Sequence, residues 1–327
     1  MPQREERLAE AARLYYVEGL TQSDVAARLD TTRSNVSRLL AAARREGVIR
    51  FHITHPLGRQ QALEQSIEET FGVDEAVVLA ADTTGDPLER VTELAARWLA
   101  GRVRDGQRIT VSWGRTLARV AAHVHVDRAY DVEVVQIGGE LHLEPHLSGH
   151  ELVRELAARL GGQYSYLHAP AVLDSPTTVA TLRSHHSIAA ELEKARAADL
   201  ALVGVGGFGH GFAAQILRSA HLDAGSRDSL ASLNPAGDIA ARFYDEAGRE
   251  LDSPLAHRVL GLSLEEVQAI PVVVGVLAGE QKARAAWSAM RGGLLDVLIC
   301  DQAAAASALH HARAAAPSGE GAPDPAL

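Results

Sequence analysis

Apolar positions recur at helical spacing three times in the first 46 residues, then give way to short apolar runs separated by amphipathic stretches. Leu8, Ala11, Ala12 and Tyr15 fall on one face of a helix over residues 4–18, which Gly19 ends. Thr21-Gln22-Ser23-Asp24 has the form of a capping box, so a second, short helix opens there and runs through Leu29. After the polar turn Asp30-Thr31-Thr32, a third helix is predicted from Arg33 to about Glu46, with Val36, Leu39, Leu40 and Ala43 on its inner stripe. Gly47 stops it, and residues 48–53 alternate like a strand.

His55-Pro56-Leu57-Gly58 breaks the pattern and marks a domain boundary. A linking helix follows over 59–71 and ends at Phe71-Gly72. Strand-like runs then fall at 76–80, 108–111, 132–137, 165–168, 200–205, 272–276 and 297–300. Helical stretches are predicted at 86–103, 115–124, 149–160, 187–197, 280–291 and 302–313. That alternation predicts an α/β fold, a doubly wound and mostly parallel sheet with helices on both faces. The expected organisation is a helix-turn-helix domain over 1–55, a linker helix over 56–72, an α/β domain over 73–313, and a Pro-, Gly- and Ala-rich disordered tail over 314–327.

Charge sharpens the division. The chain carries a net charge of −10, but residues 1–54 are +2 and the remainder is −12. A small basic head on an acidic body suits contact with DNA through the head alone, because phosphate repels the body. No apolar run approaches the roughly 20 residues of a membrane span, and the charged start MPQREERLAE lacks an apolar signal segment. A single cysteine, Cys300, rules out an internal disulfide framework and fits a reducing cytoplasm. Arginine supplies nearly all the basic residues; Lys194 and Lys282 are the only lysines.

In the head, a short capped helix, a tight turn and a third helix form the arrangement in which the last helix enters the major groove of DNA. Packing its apolar stripe inward leaves Ser34, Arg38, Ala41 and Arg45 outward, flanked by Asn35 and Ser37. Arg pairs bidentately with guanine, Asn with adenine, and Ser with a base or a phosphate. Gln22, Arg33 and Arg44 are better placed for phosphate contacts, which position without specifying sequence. The same pattern also describes a plain three-helix packing module, which has no need of Ser, Asn, Ser and Arg on that face.

The run LYYVEGLTQSDVAARLDTTRSNVSRLLAAARREGVIRFHI resembles the head of the SorC family of sugar-responsive bacterial regulators. The likeness continues in VSWGRTL, VVQIGGE, LHAP, LVGVG, AGDIAARFYDEAG and LAGEQKARAAWSAMRGGLLDVLICD, in that family's order over roughly residues 7–309. The resemblance implies a winged helix-turn-helix joined to an effector domain similar to sugar-phosphate isomerases. It also implies homodimers or homotetramers on operator DNA, with a phosphorylated sugar or related metabolite as inducer.

Ligands of parallel α/β sheets bind beyond the carboxyl ends of the strands. Ser112-Trp113-Gly114-Arg115-Thr116 lies at such a point, where backbone N–H groups, hydroxyls and a guanidinium suit an anion. Gly138-Gly139-Glu140 and Gly204-Val205-Gly206-Gly207 occupy comparable strand ends. The resemblance places a ligand-contacting lysine at Lys282, which pairs with phosphate as a point charge. Asp245 is a candidate acceptor for sugar hydroxyls, or simply the first residue of an Asp-Glu-Ala-Gly turn. The effector set is therefore Ser112, Gly114, Arg115, Thr116, Gly138, Gly139, Glu140, Asp245 and Lys282. Family members often carry small or hydroxylated residues after the glycine pair, whereas this chain has Glu140-Leu141-His142, and a carboxylate beside a phosphate is repulsive. His142, Glu144, His146 and His150 have loose spacing for a metal, with Pro145 among them, so no metal and no cofactor is expected. Two rivals remain: an isomerase-like enzyme with a fused head, for which no paired acid and base motif is found, and an oligomerising scaffold, which the strand-end glycines disfavour.

Overall fold

The structure is a computed structural model, and it describes residues 2–49, 58–81, 85–141, 148–209 and 211–315. The chain divides into two compact units, Met1–Thr54 and His55–Leu327.

In the head, helix Pro2–Ala12 continues as a wider π-helical turn over Arg13–Val17 and breaks at Gly19. The capping box at Thr21 is formed. The Asp24 N–H donates to the Thr21 hydroxyl, and the Thr21 N–H donates back to the Asp24 carboxylate at 3.2 Å. This opens helix Gln22–Arg28. The third helix, Arg33–Arg45, starts at Thr32, whose hydroxyl accepts from the Asn35 N–H at 3.2 Å. Val25 and Ala26 from the second helix meet Val36, Leu40, Ala42 and Ala43 from the third, and Leu8, Ala11, Ala12 and Leu14 close the core. Leu39, expected inside, packs half-buried at its edge. Val48 and Ile49 form a bend, and the rest of the expected strand over 48–53 lies outside the described residues, as do 55–57 of the boundary segment. The last helix runs through Ala315, two residues past its expected end, and the rest of the tail also lies outside the described residues.

In the body, the strands are β1 (Glu75–Leu79), β2 (Arg108–Val111), β3 (Glu133–Gln136), β4 (Gln163–Ser165), β5 (Leu200–Gly206), β6 (Gly237–Ile239), β7 (Arg242–Tyr244), β8 (Val273–Val276) and β9 (Val297–Asp301). Seven of them form a parallel sheet in the order β1-β9-β8-β5-β2-β3-β4. Except in the edge strand β4, Gln163–Ser165, which is largely exposed, their runs are mostly apolar because both faces are buried. Leu200 and Leu202 of β5 enter one core, whereas Ala201, Val203 and Val205 enter the other. Strands β2-β3-β4 step outward on one side and β5-β8-β9 on the other, so the winding reverses between β2 and β5. That switch point is where such sheets open a ligand crevice.

Two differences from the sequence reading bear on function. The helix expected to act as a linker, observed at Gln61–Phe71, is built into the body, where it packs on β1 and on the last helix, Gln302–Ala315. Its Glu64 is buried, receives the Val78 N–H at 2.9 Å and is paired with Arg59 at 2.8 Å. The second difference is a hairpin, β6–β7, which joins the end of β5 antiparallel through Val205↔Ile239. Its two-residue turn, Ala240-Ala241, has both residues at positive φ, 50° and 62°.

Candidate functional site

On the head, Arg33, Ser34, Ser37, Arg38, Ala41 and Arg45 are all exposed along the third helix, as the packing of its apolar stripe requires. Two expected DNA contacts are engaged within the head. The Asn35 amide donates to the Thr31 hydroxyl at 2.8 Å and braces the turn before its own helix. Arg44 donates to the Tyr16 hydroxyl at 2.6 Å and lies over that ring, 5.7 Å from its centroid. Gln22 is half-buried at the first position of the second helix. Ser34, Ser37 and Arg38 stand exposed along the front of the third helix, with Arg33 beside them.

In the body, a cavity of about 360 Å³ opens at the carboxyl ends of β2, β5, β8 and β9. Its lining includes Gly114, Arg115, Thr116 and Lys282 from the expected set, together with Asp86, Trp113, Asp238 and Asp301. Two of the helices that begin here have carboxylate caps of their own. Asp86 accepts the Leu88 N–H at 3.1 Å. Asp301 accepts the N–H groups of Ala304 and Gly279 at 2.9 and 3.0 Å. Helix Arg115–His123 is different: Gly114 precedes it with φ 123°, and no side chain caps it. Its first N–H groups lack intrahelical acceptors and face the cavity end of β2, with a positive helix dipole behind them. The turn Gly279–Lys282 is likewise without a side-chain cap, and Gly279 has φ 99°. Both glycines hold backbone conformations that an L side chain adopts only under strain.

The charges are concentrated. Burial lowers the Lys282 ammonium below the usual lysine range, with Arg115 acting the same way, while Asp238 and Asp301 oppose that shift. Among the described residues Lys282 has no ion pair within 4 Å, whereas Lys194 is paired with Glu133 and Glu191. Burial pushes the Asp238 carboxyl up to about 7, against the Ala241 N–H and Lys282, which pull it down. The Oδ1 of Asp238 has no hydrogen-bond partner among the described residues. Gly206 makes room for it, since a Cβ at that position would stand 2.0 Å from this oxygen.

The other expected effector residues do not line this cavity. Ser112 is buried beneath it, where its hydroxyl accepts the Gly204 N–H at 3.2 Å and ties β2 to β5. Gly138 and Gly139 permit close backbone packing: a Cβ on Gly139 would meet the Pro170 carbonyl at 2.5 Å. Glu140 is a buried helix cap, accepting the N–H groups of Gly149 and His150 at 3.0 and 3.1 Å. Asp245 organises its own turn, accepting the N–H groups of Ala247 and Arg249 at 2.8 and 3.0 Å and pairing with the Arg249 side chain. His142, Glu144 and His146 lie outside the described residues. His150 stacks on Tyr166 at 4.0 Å. The carboxylates missed from sequence are Asp86, Asp238 and Asp301; the one signal for Asp238 was a carboxylate set in the mostly apolar run GDIAARFY.

Comparison with known proteins agrees with both units. Residues 55–310 match the family described as "Putative sugar-binding domain", and residues 5–46 match "Sigma-70, region 4". The chain is 32% identical over 307 residues to the transcriptional regulator LsrR of Enterobacter sp. (strain 638), covering 93% of each. It is 28% identical over 296 residues to the deoxyribonucleoside regulator of Bacillus subtilis (strain 168), covering 90% of this chain and 94% of that protein. Its fold matches the full-length sorbitol operon regulator SorC from Klebsiella pneumoniae with a TM-score of 0.70 at 25% identity, over 91% of this chain and 96% of that one. No helix among the described residues is long and apolar enough to cross a membrane.

Proposed function

Because the chain belongs to the SorC family of transcriptional regulators, with a DNA-binding helix-turn-helix head and a sugar-binding body, we propose that its operator affinity is set by a phosphorylated sugar held at the β2/β5 switch point. The observation that carries this reading is the uncapped start of helix Arg115–His123, facing the same cavity as Lys282, which has no ion pair among the described residues. A phosphate bound there accepts hydrogen bonds from the first N–H groups of the helix and from the Thr116 hydroxyl, and it pairs with Arg115 and Lys282. The remaining wall, with Asp238, Asp301 and Asp86, offers acceptors for the hydroxyls of the sugar. Ser34, Ser37 and Arg38 read base edges in the operator, and Arg33 holds a phosphate.

The regulator works in the cytoplasm as a homodimer or homotetramer on a pseudo-palindromic operator, because one short helix buries too little of the groove to bind alone. The effector shifts DNA affinity by its differential affinity for the arrangements of the oligomer that do and do not fit the operator. The body is a receptor, not a catalyst. A thermal-shift screen of sugars, polyols and their phosphates tests the site. A true effector at 100 times its Kd stabilises the body by about 2.7 kcal/mol, and the phosphorylated form should exceed its parent sugar. Equal shifts from a sugar and its phosphate would remove the phosphate from the site. Conversion of any such compound to product would restore the enzyme reading.

A further inference from the structure

Asp238 enters the cavity as a buried carboxylate with one oxygen unpartnered among the described residues, on the same wall that carries the cations a phosphate needs. Several groups face it from the surrounding elements. Lys282, from the turn after β8, acts on it directly, and Lys282 is itself acted on by Arg115 from the helix after β2 and by Asp301 from the end of β9. Tyr244 on β7 lies close enough for the Asp238 charge to raise its already buried hydroxyl further, so it stays protonated at any physiological pH. The Ala241 N–H donates to Asp238 from the hairpin turn. Asp86 also lines the cavity, and its carboxylate accepts the Leu88 N–H and pairs with Arg119, both at 3.1 Å.

Among the described residues only Lys282 acts to hold Asp238 in its ionised form by charge. A phosphate dianion seated between Lys282 and Arg115 takes that same counter-charge and adds negative charge of its own inside a water-poor cavity. Two anions sharing one cation in low dielectric repel strongly, and the cheaper arrangement neutralises one of them. A phosphate would keep contact with solvent through the mouth of the cavity, whereas Asp238 is buried in its wall with Oδ1 packed close to Gly206, so the carboxylate is the one to be neutralised.

We propose that Asp238 takes up a proton as a phosphorylated effector binds, so that effector affinity, and with it the effector's control of the operator, strengthens as pH falls. The proposal rests on the phosphate reading of the cavity given above. In the protonated complex the Asp238 hydroxyl becomes a donor, to a sugar oxygen or to the phosphate itself, and its orphaned oxygen is satisfied. The free carboxyl titrates at about 7, near neutral pH, because burial outweighs the Ala241 and Lys282 contributions. Below that pH the proton is already in place and costs nothing on binding. Above it, each pH unit weakens binding about tenfold. A sugar phosphate is itself mostly dianionic above pH 7, so its own ionisation does not produce this slope.

The test is calorimetric titration of the full-length protein with ribose 5-phosphate and with inorganic phosphate at pH 6.5, 7.5 and 8.5, in pairs of buffers of different ionisation enthalpy. The parent protein should bind about tenfold more weakly at pH 8.5 than at 7.5, with close to one proton taken up from the buffer per ligand. The Asp238→Asn variant, which keeps the shape of the neutral acid, should show less than a twofold change over the same interval and no proton uptake. A persistent slope in Asp238→Asn would assign the linkage to Lys282 and overturn the proposal. Binding by the parent with no slope and no proton uptake would overturn it too, while leaving the effector reading intact. Failure of both probes to bind at every pH would overturn the phosphate reading together with the proposal.

Discussion

Replacing Arg38 with Ala should lower operator affinity by about 1–3 kcal/mol, a five- to 150-fold loss, with fold stability unchanged. Arg38 stands exposed in the first half of the third helix, on the face opposite Val36, Leu40 and Ala43, so removing it leaves no gap in the head's core. Its guanidinium matches the fork of acceptors that guanine presents in the major groove, and it stands nearer the start of the helix than Arg45. The loss should be specific to the operator; non-specific DNA, bound through phosphates, should be affected far less. Fluorescence anisotropy with operator and scrambled duplexes distinguishes the two. An Arg38→Ala protein that binds the operator as tightly as the parent would place the reading face elsewhere.

The second large effect is on stability. Arg242 is buried at the start of β7, one turn away from Asp238 across the β6–β7 hairpin. Its guanidinium donates to the carbonyls of Leu262, Ala256, Val259 and Gly261 at 3.1, 2.8, 3.1 and 3.4 Å, and it pairs with Glu250 at 3.1 Å. One side chain thus serves four backbone acceptors and a carboxylate, and truncation removes a donor from each, although Gly261 keeps Arg183 and Glu250 keeps the Leu264 N–H. Arg242→Ala should cost about 3–5 kcal/mol of the body's stability, read as a lower urea midpoint at unchanged m-value. A loss under about 1 kcal/mol would mean that water replaces the guanidinium, and that the hairpin does not depend on it.

The head and the parallel sheet were legible because their signals are periodic or local. The third helix buries one stripe, the capping box at Thr21 forms as its pattern indicates, and buried parallel strands announce themselves as apolar runs. The loop 112–116 was legible for a similar reason, since a glycine between a strand and a helix at that end of a sheet is a backbone requirement. The β6–β7 hairpin was not. Two-residue hairpin turns ordinarily show Asn-Gly or Gly, but here Ala240-Ala241 takes both left-handed positions. Each alanine holds that conformation at a cost of about 1–2 kcal/mol, offset by packing that no local pattern records. Without the hairpin, nothing in the sequence singled out Asp238, whereas Asp245 stood out as an acceptor or the first residue of a turn. Glu140 and the Gly138-Gly139 pair misled for the opposite reason. Strand-end glycines and a nearby carboxylate serve equally well for a ligand or for close packing and a helix cap, and only the positions of Pro170 and Gly149 decide between them.

The most direct measurement is an operator titration of the full-length protein with and without the sugar phosphate that gives the largest thermal shift, made on the parent and on the double variant Thr116→Ala with Lys282→Ala. The parent should change its operator affinity on adding the ligand. The double variant should bind the operator as the parent does without ligand and should not respond when ligand is added, because the phosphate has lost a hydroxyl donor and its buried cation. A response undiminished in the double variant would place the effector outside the β2/β5 cavity, and loss of operator binding without ligand would make these residues supports of the fold instead of the switch.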